Sequence, residues 1–161
     1  MLLTCGFLAG CGAGRTLVLN PVACDHAARG ITIVADVSAA PTPPEVLKQF
    51  ETLLSNRLYK TEKMMVSNDL VLKFRFIQYN PGSRFKRWML GGIGNSGEGS
   101  LTIEVTYFDA CGKEIGKIHS QGCIGSGVFG GAIGDALETA VGEIAQYTTA
   151  SFPTLAVKTH P

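Results

Sequence analysis

From residue 31 onward the chain alternates. In ITIVADVSA, Ile31, Ile33, Ala35 and Val37 fall on one side of an extended backbone, the period of two that marks a half-buried strand. PTPP, Pro41 to Pro44, ends that strand and opens a helix, because proline is tolerated in a first helical turn. The period then changes. In EVLKQFETLLSNRLYK the apolar residues Val46, Leu47, Phe50, Leu53, Leu54 and Leu58 recur every three or four positions on one helical face. Each such side chain contributes ~1.5–3 kcal/mol when buried, enough in sum to dock the helix on a sheet. Period two returns in LVLKFRFIQY, with Leu72, Phe74 and Phe76 opposite Lys73 and Arg75. It returns again in SLTIEVTYF, where Leu101, Ile103, Val105 and Tyr107 face one way and Thr102, Glu104 and Thr106 the other. The turn DACGKE leads into IGKIHSQG, predicting a hairpin. A last helix begins near Ala132, with Ile133, Leu137, Ala140, Val141 and Ile144 as its buried stripe. Asp135 and Glu138 in its early turns suit the helix dipole.

The predicted order is β-α-β-β-β-α, an α+β fold. Its natural two-layer form is an antiparallel sheet of about four strands with both helices on one face. The expected organisation is a signal segment at 1–10, a lipidated tether at 11–30, the α+β domain at 31–152 and a tail at 153–161. Composition agrees with one domain: 161 residues, 45% hydrophobic and 17% charged. A net charge of +1, from 14 basic and 13 acidic residues, supplies no long-range field for nucleic acid.

The pattern before residue 15 is different. Met1 to Gly14 carries no charge, and its apolar run has half the length of a membrane-spanning helix but that of a signal-peptide apolar region. The run ends Leu8-Ala9-Gly10-Cys11, which resembles the bacterial lipoprotein cleavage box. The resemblance implies cleavage before Cys11, lipidation of that thiol, and anchoring by acyl chains at ~0.8 kcal/mol per buried CH2. A secretory signal normally opens with Lys or Arg and MLLT has neither, so the reading expects an initiator upstream. Gly12 stands where Asp holds enterobacterial lipoproteins at the inner membrane, so the expectation is the outer membrane.

Two stretches match G-x-G-x-x-G, at Gly92–Gly97 and Gly125–Gly130. The first runs into a strand and the second is followed by a helix but no further strand, so neither has the dinucleotide context. Gly127 with Gly131 and Gly130 with Gly134 form small-x-x-x-small pairs, read as close packing of helix on sheet. A membrane-inserting glycine zipper is the alternative. The five cysteines contain no C-x-x-C pair, so no zinc module and no metal site is expected. Cys111 at a hairpin tip and Cys123 past its open end are too far apart to bridge; Cys24 and Cys123, both near strand termini, are the candidate disulfide. Asp25-His26, His119 and His160 provide no ligand spacing, and His119 is expected to face solvent. In RFKRWML, Arg84, Lys86, Arg87 and Trp88 are candidates for contact with headgroups, cell-wall polymer or an acidic partner. The same segment also reads as an insert covering a sheet edge.

From Phe76 to Tyr147 the chain resembles the bacterial lipoprotein family catalogued as domain of unknown function 4410. The segments carrying this are YNPGSRFKRWMLGGIGNSGEGSLTIEVTYFDACGKEI and GSGVFGGAIGDALETAVGEIA. The resemblance implies an exported, lipid-anchored α+β domain and supplies no catalytic residue and no cofactor. The resulting expectation is a non-enzymatic, periplasm-facing outer-membrane lipoprotein, held by its lipid anchor and binding an envelope protein or glycan. The alternative from another class is an envelope hydrolase or metal-dependent enzyme.

Overall fold

The computed structural model describes residues 14–22, 28–80, 99–124 and 133–153. Its elements are β1 (Arg15–Asn20), β2 (Gly30–Ala35), α1 (Pro44–Ser55), β3 (Met65–Asn80), β4 (Gly99–Asp109), β5 (Glu114–Ile124) and α2 (Ile133–Ser151). A π-helical turn, Asn56–Thr61, continues α1. The strands form one sheet in the order β1-β5-β4-β3-β2.

The α+β class and both helices are as expected, and the sheet differs in two respects. It has five strands, because Arg15–Asn20 lies within the stretch read as a tether and pairs antiparallel with β5. It is mixed, because β2 and β3 run parallel. A strand followed by a helix of a dozen residues has room to cross over and return in the same direction, which a short hairpin does not. α1 supplies that crossover.

The periodicities explain the layers. Val46, Phe50, Leu54 and Leu58 are buried, while Leu47 and Leu53 flank them partly buried. Phe50 stands edge-on to Phe74 and Phe76, with ring centres 4.9 and 5.5 Å away, an arrangement aromatic quadrupoles favour. In β4 Leu101, Ile103, Val105 and Tyr107 are fully buried. Their register partners Ile118, Ser120 and Gly122 place β5 on the same inner face. On α2, Leu137, Ala140, Val141 and Ile144 close the core as expected, together with Ala136, Ala145, Thr148 and Phe152 beyond it.

Close backbone approach does occur here, at a different glycine. A Cβ on Gly122 of β5 would stand 2.6 Å from the carbonyl oxygen of Ala136 on α2. Gly134 meets only the Gln49 side chain at an ordinary distance; Gly127, Gly130 and Gly131 lie outside the described residues. After the π-helical turn the chain leaves through Lys63, whose φ of 59° is left-handed without being glycine. That turn is closed by Met64 N–H donating to the Leu58 carbonyl at 3.1 Å.

Candidate functional site

The helices cover one face of the sheet, so alternation delivers the polar half of β3, β4 and β5 to the other. Register then decides which polar residues meet. Arg75 lies opposite Glu104, and Glu104 opposite His119, forming a row across three strands. Arg75 reaches Glu104 Oε1 through Nε at 2.9 Å and Nη2 at 2.7 Å. His119 Nε2 donates to Oε2 at 3.0 Å, since an ionised carboxylate only accepts. Both carboxylate oxygens are therefore occupied. Burial alone would raise the Glu104 carboxyl. Hydrogen bonds from His119 and Arg75, and the charges of Arg75 and Lys117, outweigh it and hold that group below its ordinary range.

The next row is Lys73, Thr106 and Lys117. Lys73 Nζ sits 5.0 Å over the Phe108 ring, and Lys117 pairs with Glu114 at 3.3 Å. Between these rows lies a shallow depression of about 220 Å³, lined by Asp36, Lys73, Arg75, Glu104, Thr106 and Lys117 among others. Thr106, between Lys73 and Lys117 on the neighbouring strands, is buried although it faces away from the helices, as is Thr102, which lies between Gln78 and Gln121 and donates to Gln78 Oε1 at 3.3 Å. The site offers charges of both signs on a rigid sheet. That suits recognition of a polar ligand, while the saturated carboxylate is poorly placed to take up a proton. Among the described residues, no three His, Cys, Asp or Glu side chains group closely enough to hold a metal ion.

The sequence placed Lys73, Arg75 and Glu104 on outward faces but did not bring them together. His119 faces outward as expected, yet it is bonded to Glu104 and only 22% exposed rather than free in solvent. The signal for this cluster is present only once strand register is known. Cys111 is exposed and free at the β4–β5 turn, and Cys123 lies in β5 opposite Ser100, so the hairpin keeps the two apart as predicted. Leu8, Ala9, Gly10, Cys11, Cys24, Arg84, Lys86, Arg87 and Trp88, with Asp25, His26 and His160, lie outside the described residues. The residues bordering the basic segment, Asn80 and Gly99, are at the sheet end where β1 begins: Asn80 pairs with Ser100, Gly99 with Ile124 and Arg15 with Gln121.

Residues 39–128, more than half of the chain, match the family described as Domain of unknown function (DUF4410). The chain belongs to that family. No curated protein matches it. Among solved structures, a leucine-to-methionine variant of the PelC dodecamer from Paraburkholderia phytofirmans is similar at TM-score 0.55 and 14% identity, covering 87% of this chain and 98% of that one. A second PelC dodecamer from the same organism gives 0.49 and 12%, over 86% and 95%. A minor lipoprotein from Acinetobacter baumannii gives 0.45 and 13%, over 76% and 94%. At these identities the likeness to PelC concerns the fold alone. Among its described residues this DUF4410 member has no helix long and apolar enough to cross a membrane.

Proposed function

We propose that this chain is a non-enzymatic accessory module of the bacterial envelope, lipid-anchored at Cys11 on the periplasmic side of the outer membrane. Its domain binds another envelope component, a protein or a glycan. The observation carrying this reading is the sheet face opposite the two helices, which no helix among the described residues covers. There Glu104 is locked between Arg75 and His119, and the depression beside it holds paired charges of both signs. Such a surface recognises polar groups by complementarity rather than by proton transfer. Leu8-Ala9-Gly10-Cys11 supports the anchor. Arg84, Lys86, Arg87 and Trp88 would add contacts to the partner or to headgroups. The dodecameric state named for the PelC relative supports self-association as part of this reading.

The test is metabolic labelling with a palmitate analogue beside a Cys11→Ser control, followed by partner capture with Arg87→Glu and Trp88→Ala chains. Label that disappears in the control, with capture weakened in folded variants, is the expected result. Label that persists in Cys11→Ser, or none in either chain, refutes the anchor. Normal capture by both variants removes the basic segment from the binding surface.

A further inference from the structure

On the floor of the depression one polar group is left over. Thr106 is only 9% exposed, and among the described residues its hydroxyl has no hydrogen-bond partner. Every enclosed polar side-chain atom among those residues does have one, so this hydroxyl opens into the depression that Thr106 lines. A largely buried hydroxyl without a partner costs stability, and a ligand oxygen would satisfy it. Register sets a lysine on either side, Lys73 on β3 and Lys117 on β5. Their backbones stand about 9.6 Å apart, twice the ~4.8 Å strand spacing. Two flexible four-carbon stems close that gap from either side.

The lining acids are mostly engaged already. Glu104 has both oxygens occupied by Arg75 and His119. Asp36 turns Oδ1 to the Val37 backbone N–H at 2.8 Å. Glu114 holds Lys117 at 3.3 Å, in a pair whose side chains are 38% and 28% exposed; such a contact is worth little in water and is easily exchanged. Lys73 has no carboxylate within ion-pair distance among the described residues, and its ammonium rests 5.0 Å from the centre of the Phe108 ring. What the row lacks is negative charge between two ammoniums and a hydroxyl donor. An oxyanion fits that set, because lysine acts as a point charge with three rotatable donors.

We propose that the row Lys73, Thr106 and Lys117 binds the carboxylate of an acidic sugar within an envelope glycan. This names the ligand class for the site in the reading above and rests on that reading. One carboxylate oxygen accepts from Thr106 and one lysine, and the other accepts from the second lysine. The neighbouring acids select sugar over peptide. Asp36 and Glu114 border the same depression, and a carboxylate has several acceptor sites to which sugar hydroxyls can donate. An acidic peptide would bring further carboxylates against them, and like charges repel. Size agrees with one sugar residue of a longer chain. The volume of about 220 Å³ is below the ~300 Å³ at which pockets for whole drug-sized ligands begin.

The test is isothermal titration calorimetry of the full chain carrying Cys11→Ser, with tetragalacturonate, its neutral methyl ester and hexaglutamate as probes. Tetragalacturonate is expected to bind, with the ester and the peptide at least ~10-fold weaker. Raising salt from about 0.1 to 1 M should weaken its binding further. Thr106→Val keeps the side chain's shape and removes a hydroxyl that has no partner within the described chain. Its urea midpoint should therefore not fall, while affinity drops ~10-fold. Lys73→Gln should weaken binding about 5-fold, and Lys73→Gln with Lys117→Gln should remove it. No binding of tetragalacturonate, equal binding of the ester or of hexaglutamate, or wild-type affinity in Thr106→Val overturns the proposal. Palmitate labelling and partner capture are scored separately. A labelled, partner-binding chain that ignores tetragalacturonate would sink this site and leave the anchored module standing; an unlabelled chain that binds it through Thr106 and Lys73 would sink the anchor and leave the site.

Discussion

Tyr107 and Thr148 join β4 to α2 through a hydrogen bond that no solvent reaches. Both residues are fully buried, and their hydroxyls are 2.8 Å apart. Thr148 already donates its one hydroxyl hydrogen to the Ile144 carbonyl at 2.7 Å, so Tyr107 must donate to Thr148. Direction makes the two deletions unequal. Tyr107→Phe removes a donor and leaves a lone pair unfilled, at a cost of about 0.5–1.5 kcal/mol. Thr148→Val preserves the shape but strands a phenol O–H in the core, at a cost of about 1–3 kcal/mol. In the double variant nothing polar remains unmet, so the combined loss should fall below the sum of the single losses by about 1 kcal/mol. Urea unfolding followed by circular dichroism reads this as midpoint shifts at constant slope. Strictly additive losses, or Thr148→Val milder than Tyr107→Phe, would refute the assigned direction. The same pair predicts an alkaline limit. Burial pushes the Tyr107 phenol well above its ordinary value of 10.0, and Tyr147 adds to the rise. A raised pKa means the stabilisation is complete below the unfolded value and is lost as pH climbs past about 10. Tyr107→Phe should flatten that loss.

Three further outcomes follow from single residues. Glu104→Gln should cost about 0.5–1 kcal/mol at neutral pH, discounted because Arg75 is 42% exposed. As the Glu104 pKa is lowered from 4.5, its contribution is present above that value and lost as pH falls through the native one; a wild-type–variant gap that persisted in strong acid would contradict the ladder. Gly122→Ala should lower stability by about 2 kcal/mol or more, because the new methyl meets the Ala136 backbone and not a movable side chain; a neutral melt would mean that α2 shifts freely on the sheet. Lys63→Gly should raise stability by about 0.5–1 kcal/mol by relieving the left-handed φ of 59°, and an unchanged urea midpoint would show that Lys63 makes a compensating contact.

Local periodicity was enough for much of this architecture. Period two named the inner faces of β3 and β4, and the three- and four-residue spacing named Phe50, Leu54, Leu137 and Ile144, because a side chain's face depends only on its own element's repeat. β1 escaped that logic. Leu17, Val18 and Leu19 are all partly exposed at an edge, so no alternation distinguishes them from a tether. The cluster of Arg75, Glu104 and His119 escaped it for another reason: the residues come from three strands, and their meeting depends on register. The parallel turn of β2 onto β3 depended likewise on where α1 docks. The sequence by itself therefore determined the α+β class, the core stripes and the candidate anchor at Cys11, all written within one element or one short segment. Only the tertiary structure decided the fifth strand, the bonded row on the outer face and the parallel pairing of β2 with β3, because each is a relation between residues far apart in the chain.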